Sequence, residues 1–406
     1  MNEEIGKTIS CVRCGACMSV CPLYSATCLE TDVARGKLSA LSMLEQGELS
    51  LRDVSSIISR CLLCGKCSSA CPNNIEPDKI IISAREELFH QEPKRLYHAL
   101  LRHINLMDAS MNNRGALIQK LVLKFALLFS LDSRSYIPEI AETPFLKKLD
   151  QRSEKAVGDI KLGLFVGCGG NYLFPETTEA FVSLLKRLNL SPYIPRHQGC
   201  CGLISQNIGD KEKAIALAKH IIDLFSPDDL DYIVTPCASC SSHLKSFAQL
   251  LGSENKGYKK AILFSNKVMD ASDFLVNVVN HKELACAINA YPKTNIPIRV
   301  HYHKPCHIQE SGASLRLLSA IPSVILTDTS GTSQCCGHAG IFNISNFRAS
   351  MQILEKTMAE ITKAKPDIIA TDCTGCILQF QEGTARIKKQ INISVAHPLV
   401  LVLGLK

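Results

Sequence analysis

The chain has 406 residues, of which 46% are hydrophobic and 20% charged. This balance is typical of a globular protein with two or three domains, so intrinsic disorder is excluded. The formal net charge is +7, but no Lys/Arg run carries interleaved aromatic residues, and we therefore expect no nucleic-acid partner. The sequence contains no stretch of 18 apolar residues, which argues against a membrane-spanning helix.

Twenty cysteines determine the class of protein. The first residues of the chain are polar and include no apolar core segment, so we expect no secretory signal and a cytoplasmic location. In a reducing compartment, cysteines in CxxC groups are metal ligands or redox thiols rather than disulfide partners. The cysteine pattern therefore predicts metal or redox centres.

The N-terminal region contains one cysteine motif twice, at an offset of 50 residues. The two copies are Cys11-x₂-Cys14-x₂-Cys17-x₃-Cys21-Pro22 and Cys61-x₂-Cys64-x₂-Cys67-x₃-Cys71-Pro72. The CxxCxxC spacing lets three thiolates converge on one cubane cluster, and in two-cluster ferredoxins the fourth cysteine ligates the other cluster. The motif therefore predicts two [4Fe–4S] clusters that exchange their fourth ligands and relay single electrons.

We define two predicted clusters from this exchange. Cluster 1 is assigned to Cys11, Cys14, Cys17 and Cys71, and cluster 2 to Cys21, Cys61, Cys64 and Cys67. The alternative is zinc, which takes four ligands, usually as two CxxC pairs. Two full repeats of four cysteines, each closed by Cys-Pro, fit zinc poorly.

The sequence between the two motifs predicts helices. Asp32 is placed to cap a helix through Lys37 and Leu41, and residues 51–59 form the next helix. Because this connection is longer than in a βαββαβ ferredoxin, we expect an α-helical ferredoxin domain over residues 1–95.

Residues 96–160 are expected to form a helical connector. Within it, residues 115–131 are apolar apart from one helical face that carries Lys120 and Lys124. This pattern fits a core or subunit-interface helix, and a helix lying on a membrane surface is the alternative. Peripheral association with the inner face of a membrane therefore stays open.

A second duplication fills the rest of the chain. Its copies are Cys168, Cys200-Cys201-Gly202, Cys237-x₂-Cys240 and Cys306, Cys335-Cys336-Gly337, Cys373-x₂-Cys376, at offsets of 138, 135 and 136 residues. The near-constant offset predicts two tandem copies of one fold, over residues 161–290 and 291–406. Only Cys28 and Cys286 lie outside both duplications, and we expect them to be buried packing residues.

Each copy alternates strands and helices, which predicts parallel sheets and an α+β multidomain chain. The predicted strands are residues 162–166, 192–195, 232–235, 298–301, 324–326 and 368–371, and the predicted helices include 177–188 and 211–225. Most of the cysteines then follow the carboxyl ends of strands, where open α/β sheets place ligands. Five cysteines per copy, two of them adjacent, favour a non-cubane cluster or a redox-active disulfide over simple zinc.

The spacings of this second duplication resemble the cysteine-rich CCG domains of heterodisulfide reductases and of the iron–sulfur subunits of flavin-dependent glycolate, D-lactate and glycerol-3-phosphate dehydrogenases. The order of two ferredoxin motifs and two CCG domains resembles the glycolate oxidase iron–sulfur subunit. So do the Arg35–Gly36–Lys37 segment and the sequence CCGHAGIF from Cys335. The resemblance covers most of the chain.

The resemblance implies an electron-transfer subunit that relays electrons from a flavoprotein partner, which oxidises glycolate or D-lactate, towards quinone or another membrane acceptor. Some glycolate oxidase subunits lack part of each CCG motif, whereas this chain retains ten cysteines that could bind one or two additional non-cubane clusters. These ten are Cys168, Cys200, Cys201, Cys237, Cys240, Cys306, Cys335, Cys336, Cys373 and Cys376. The alternative is a heterodisulfide-reductase-like catalytic subunit, and a structural zinc protein is a third hypothesis.

Five histidines accompany the CCG motifs. They are His301, His303, His307, His338 and His397. Either they tune a cluster by hydrogen bonds and proton transfer, or they are satisfied side chains at strand ends; we favour the second interpretation, with His307 and His338 as the best exceptions. The sequence has neither a GxGxxG that opens a helix after a strand nor a P-loop, so we expect any flavin to sit on a partner.

Overall fold

The computed structural model describes residues 6, 10–89, 91, 134–149, 159–289, 296–308, 312–327, 335–388 and 391–404. Most of the predicted connector, including residues 115–131, lies outside these residues. Over the described ranges, every helix is too short or too polar to cross a lipid bilayer.

The N-terminal region is helical, which confirms the predicted type of ferredoxin domain. Its helices are α1 (Ala16–Val20), α2 (Pro22–Thr27), α3 (Ala34–Glu45), α4 (Leu51–Ser59), α5 (Lys66–Ser69) and α6 (Pro77–Phe89). Helix α2 begins with Pro22, whose missing N–H costs nothing at this position. Helices α3, α4 and α6 bury their apolar faces against one another around Leu41, Val54 and Ile81, and this small core holds the two cysteine loops in place.

The prediction that Asp32 caps α3 is wrong. The residue before α3 is Val33, and no side chain caps the helix. Asp32 is buried instead, and its carboxylate accepts two hydrogen bonds of 2.6 Å from Arg60 and one of 2.7 Å from Thr27. Burial raises the pKa of Asp32, but these hydrogen bonds outweigh it, so the pKa lies below its usual value. The carboxylate of Asp32 therefore binds Arg60, 28 residues further along the chain, instead of capping the adjacent helix.

Gly36 allows α3 to pack against the short helix Glu30–Asp32. A Cβ atom at this position would lie 2.0 Å from the carbonyl oxygen of Glu30. We therefore expect Gly36→Ala to lower the free energy of unfolding by about 2–3 kcal/mol, despite the better helix propensity of alanine.

Thermal and denaturant unfolding of the cluster-loaded protein would measure this loss. Gly312→Ala is the matched control, because a Cβ at Gly312 would meet no atom of the described residues within 4 Å. Equal stability of the two variants would show that α3 can shift away from Glu30 at little cost.

Two parallel sheets form the second half of the chain. The strands are β1 (Leu162–Leu164), β2 (Tyr232–Thr235), β3 (Val268–Asp270), β4 (Ile298–Tyr302), β5 (Val324–Leu326), β6 (Ile368–Ala370) and β7 (Ser394–Ala396). The first sheet has the order β1-β2-β3 and the second β5-β4-β6-β7, with every pair parallel. A single parallel bridge joins Gly163 to Tyr193 beside β1, at the place that β5 occupies beside β4. The two sheets therefore share one strand order.

The helices of this half connect and cover the sheets. They are α7 (Phe145–Lys148), α8 (Pro175–Arg187), α9 (Leu203–Ile208), α10 (Lys211–Phe225), α11 (Ala238–Lys245), α12 (Phe247–Leu251), α13 (Tyr258–Lys267), α14 (Ala271–Asn277), α15 (His281–Asn289), α16 (Gly312–Ser319), α17 (Phe342–Ser345), α18 (Phe347–Lys363), α19 (Thr374–Ile387) and α20 (Pro398–Val402). One apolar core includes Leu164 of β1 and Val300 of β4. A second core includes Ile233 of β2 and Ile369 of β6, so the two sheets share buried surface.

Arg85 of α6 ties the ferredoxin region to the first sheet domain. Its guanidinium donates to the carbonyl oxygens of Ile58 and Cys61 at 2.8 Å, Ser59 at 3.1 Å and Asn207 at 2.6 Å. Three of these acceptors lie at the entry to the second cysteine loop, and the fourth lies in α9. One planar cation therefore fixes both the loop and the interface.

We expect Arg85→Met to lower the free energy of unfolding by about 2–4 kcal/mol, because several partly buried carbonyl groups lose their donors. The variant should also retain less iron per chain. Lys211→Met is the control at the same interface, since the side chain of Lys211 is 47% exposed and, within the described residues, its ammonium pairs with Glu86 alone, at 2.9 Å. That change should cost under about 1 kcal/mol. Similar losses in both variants would contradict the assigned role of Arg85.

Candidate metal centres

The two CxxCxxC loops have the same backbone conformation. Arg13 and Leu63 have φ values of 55° and 54°, and Gly15 and Gly65 have φ values of 87° and 71°. Glycine adopts this left-handed region freely, whereas a side chain there is strained. A conformation that recurs 50 residues apart, strain included, indicates that each loop is shaped around the same kind of group.

The loops enclose two cavities that are lined by thiols. The first cavity is lined by Cys11, Cys14, Cys17, Cys67 and Cys71, and the second by Cys21, Cys61, Cys64 and Cys67. Cys71 thus lies with the first motif and Cys21 with the second, as an exchange of fourth ligands requires.

The chemistry of the thiols fits iron–sulfur clusters. Burial raises the pKa of Cys64, with the neighbouring Cys335 adding to the effect. Burial and then Cys61 raise the pKa of Cys67. Such thiols become thiolates when a cation binds them, and soft sulfur ligands favour iron–sulfur cores.

The charges beside the two cavities differ. Lys37, which is 1% exposed, lines the second cavity, and its ammonium donates to the carbonyl oxygens of Thr31, at 3.0 Å, and Asp32. The first cavity instead has Arg35, which is 27% exposed and paired with Glu30 at 2.5 Å. A buried cation therefore lies only beside the second cavity among the described lining residues.

The first CCG motif gathers its five cysteines at the carboxyl edge of the first sheet. Cys168 follows β1 and Cys237 follows β2, where the parallel-sheet prediction placed them. Hydrogen bonds from Cys168 and Cys201 lower the pKa of Cys200, and one from Cys240 lowers the pKa of Cys237. An interaction between Cys201 and Cys240 joins these pairs, so the five sulfur atoms form one connected group that could hold a metal cluster.

The second CCG motif repeats this arrangement. The sulfur atoms of Cys306 and Cys335 lie 3.9 Å apart, and those of Cys336 and Cys376 lie 3.2 Å apart. Hydrogen bonds from Cys306 and Cys336 lower the pKa of Cys335. In each CCG centre, therefore, hydrogen bonds from neighbouring thiols lower the pKa of the first of the two adjacent cysteines.

The two CCG centres contact each other. Cys237 lies just before α11 and Cys373 just before α19, and the two thiols are close enough for Cys373 to lower the pKa of Cys237. The hydroxyl oxygen of Ser239 lies 3.0 Å from the sulfur of Cys373, and Thr374 donates to the sulfur of Cys237 at 3.6 Å. Each repeat thus supplies a hydroxyl group to a thiol of the other.

The second cavity adjoins the second CCG centre. Cys64 lies close to both Cys335 and Cys306. The charge on Cys335 raises the pKa of Cys64, and the charge on Cys64 raises the pKa of Cys306. An apolar cluster that includes Leu62 and Phe342 covers this contact. The four thiol groups therefore follow one another in space: first cavity, second cavity, second CCG centre, first CCG centre.

Two predictions on the remaining cysteines are wrong. Cys28 and Cys286 are exposed rather than buried. Cys28 ends α2 in the left-handed conformation, and Cys286 lies on the outer face of the amphipathic helix α15. The residue type alone therefore does not predict burial for a free cysteine at a position that otherwise faces solvent.

Four of the five histidines have hydrogen-bonding partners. His301 lies 3.2 Å from the hydroxyl of Thr327, and the Nδ1 atom of His338 accepts from the Gly340 N–H at 3.2 Å. His397 caps α20. His307 lies 3.3 Å from Ser239 and 3.7 Å from the sulfur of Cys306.

Three further side chains lie at the CCG centres and were not predicted from the sequence. Ser239 and Thr374 lie between the two cysteines of their CxxC motifs, and this position in the sequence could have predicted that they lie close to the thiols. His243 is buried beside Cys200, and burial lowers its pKa to about 4.

Two protein families match the chain. The 4Fe-4S dicluster domain family matches residues 7–75, and the cysteine-rich domain (CCG) family matches residues 162–245 and 300–381. Together they match more than half of the chain, and they confirm an iron–sulfur protein with one dicluster region and two CCG domains.

Curated relatives extend this similarity to nearly the whole chain. The probable glycolate oxidase iron-sulfur subunit of Bacillus subtilis (strain 168) is 27% identical over 98% of this chain and 94% of its own length. The glycolate oxidase iron-sulfur subunit of Escherichia coli (strain K12) is 24% identical over 90% of this chain and 88% of its own. Lactate utilization protein A of Geobacillus kaustophilus (strain HTA426) is 29% identical over 58% of this chain and 95% of its own.

Proposed function

We propose that this chain, which belongs to the iron–sulfur proteins built from a 4Fe-4S dicluster domain and two CCG domains, is the electron-transfer subunit of a flavin-dependent 2-hydroxyacid dehydrogenase. Its proposed substrate class is glycolate or D-lactate, which agrees with the words glycolate and lactate in the names of its relatives. A flavoprotein partner oxidises the hydroxyacid, and the acceptor beyond this chain is a quinone or another membrane carrier. We assign residues 1–95 to the ferredoxin domain, 96–160 to the connector, and 161–290 and 291–406 to the CCG domains.

The observation that carries this proposal is the unbroken succession of four thiol groups. Iron–sulfur clusters held by such groups accept and release one electron at a time. The eight ferredoxin cysteines hold cluster 1 and cluster 2, and the contact of Cys64 with Cys335 joins cluster 2 to the CCG centres. The chain thereby provides a protein-bound path for single electrons.

Most of the thiols and the apolar side chains along the path are buried. Eight of the ten CCG cysteines are buried, and so are Leu62 and Phe342 at the junction between the two halves. Cys14 is exposed, so cluster 1 is the end of the path that a partner protein can approach. We therefore place the flavoprotein contact at this end.

Anaerobic purification of the native complex tests this proposal. The chain should copurify with a flavoprotein, and glycolate or D-lactate should bleach the visible absorbance of its clusters, whereas acetate, which has no hydroxyl group, should not. Purification without any flavoprotein, together with clusters that no 2-hydroxyacid reduces, would refute it. The iron content per chain determines which clusters are present. About eight irons indicate the two cubane clusters alone, and about 12 to 16 indicate further clusters in the CCG centres.

The second candidate function is disulfide reduction at a non-cubane cluster. The direct contact between Cys237 and Cys373 favours it, since two CCG centres then face one small region. Reduced viologen as donor and a series of disulfides as acceptors would test this activity. Failure to reduce any of them would leave the relay function as the better proposal.

A further inference from the structure

His303 differs from the other histidines of the CCG domains. Its main-chain N–H donates to the carbonyl oxygen of Ala370 at 2.8 Å, which places it just beyond β4 at the edge that carries the cysteines. Its side chain is 0% exposed, and within the described residues neither ring nitrogen has a hydrogen-bond partner. Two unsatisfied buried nitrogens on one ring are costly, so the ring must gain another interaction.

Two thiols lie within ligand distance of this ring. A ring nitrogen of His303 and the sulfur atoms of Cys336 and Cys376 all lie within 4.8 Å of one another. The two sulfurs are 3.2 Å apart. One metal atom with ligand bonds of about 2.0–2.3 Å could contact all three after small shifts.

Packing holds the ring in place. Phe380 lies edge-on against it, with ring centroids 4.7 Å apart. A neutral imidazole has a lone pair for a metal.

The first CCG domain has no imidazole at this position. His303 lies three residues before Cys306, and the residue three before Cys168 is Phe165, which is equally buried. His243 also approaches the first centre, beside Cys200, but His303 is the histidine that meets two thiols within 4.8 Å in the described parts of the chain. The two repeats therefore offer their metals different ligands.

We propose that His303 ligates the metal of the second CCG centre, together with Cys336 and Cys376. This centre is a mixed imidazole–thiolate site, whose metal is either an iron of a cluster or a zinc ion, because both accept imidazole and thiolate. Phe165 makes the corresponding position in the first centre a purely apolar wall. The inference concerns metal ligation alone and stands independently of the proposed electron path.

The test is spectroscopy on the full chain, produced with either ¹⁴N- or ¹⁵N-labelled histidine and purified anaerobically. The comparison of the two samples identifies a signal from a histidine nitrogen. If the metal is iron, pulsed EPR should detect a directly coupled histidine nitrogen. If the metal is zinc, X-ray absorption at the zinc edge should detect nitrogen at about 2.0–2.1 Å beside sulfur at about 2.3 Å. If the unaltered protein shows neither of these nitrogen signals, the proposal is overturned, whatever the variants do.

The variant His303→Phe copies the first repeat and should abolish the nitrogen signal. His338→Leu is the matched control, because His338 is half-buried, has Leu203 as its counterpart, and already has a hydrogen-bond partner. The control should keep both the nitrogen signal and the metal. Retention of the nitrogen signal in His303→Phe would overturn the proposal. If His303→Phe does not fold, His303→Gln, which keeps a polar group, replaces it in the same comparison.

Discussion

Cys71→Ala should remove the same cluster as Cys14→Ala, although Cys71 lies in the other motif. Both residues line the first cavity, so either change leaves one cubane cluster with three ligands. In the same way, Cys21→Ala and Cys64→Ala should remove the second cluster, because both line the second cavity. Each variant should lose about four irons per chain, since a [4Fe–4S] cluster needs its full ligand set.

The residual EPR spectra of the four reduced variants provide the measurement. Cys14→Ala and Cys71→Ala should share one spectrum, and Cys21→Ala and Cys64→Ala should share another. Cys28→Ala is the control, because Cys28 is exposed and lies outside both motifs. A spectrum of Cys71→Ala that matches Cys64→Ala would mean that each motif binds its own cluster without exchange.

Lys37→Gln should lower the reduction potential of cluster 2. Reduction adds negative charge to the cluster, and the buried ammonium of Lys37 stabilises that charge more strongly than a solvated cation would. Burial lowers the pKa of Lys37, whereas negative charges on Cys61, Asp32 and Cys21 oppose this change. Glutamine keeps N–H donors for the carbonyl oxygens of Thr31 and Asp32 but removes the charge.

We expect the potential to fall by about 59 mV or more, which is a tenfold change for one electron. An EPR-monitored potentiometric titration in the Cys71→Ala background would measure cluster 2 without interference. Lys37→Arg keeps the charge and should leave the potential nearly unchanged, while Lys37→Gln should leave cluster 1 unaffected in the Cys21→Ala background. An unchanged cluster 2 potential in Lys37→Gln would show that this charge has no influence.

The parts of the fold with strong local signals were predictable. The helices Leu51–Ser59 and Lys211–Phe225 and the strands Tyr232–Thr235 and Val324–Leu326 have the predicted bounds. Their apolar periodicity and flanking turn residues agree with their burial. The short strands β3 and β7 were missed, because three residues give too little periodicity and their pairing depends on neighbours distant in sequence.

The sites divide in the same way. Cysteine spacing predicted which thiols would come together, since the spacing itself determines the reach of each loop. It could not predict that Cys64 would meet Cys335, because that contact depends on how separate domains dock. Nor could it predict that Lys37 would be buried at the second cavity, because that depends on the packing inside the ferredoxin region. The histidines show the same limit: spacing pointed to His307 and His338, whereas only the packing around β4 distinguishes His303.

Each CCG repeat places a hydroxyl group beside a thiol of the other repeat, and these contacts constrain how such a protein can evolve. After a gene duplication, two copies usually drift apart as independent units. Here Ser239 of one copy contacts Cys373 of the other, and Thr374 contacts Cys237 in return. A substitution at Ser239 or Thr374 therefore alters the surroundings of a thiol in the other copy, which couples mutations at these positions across the two halves.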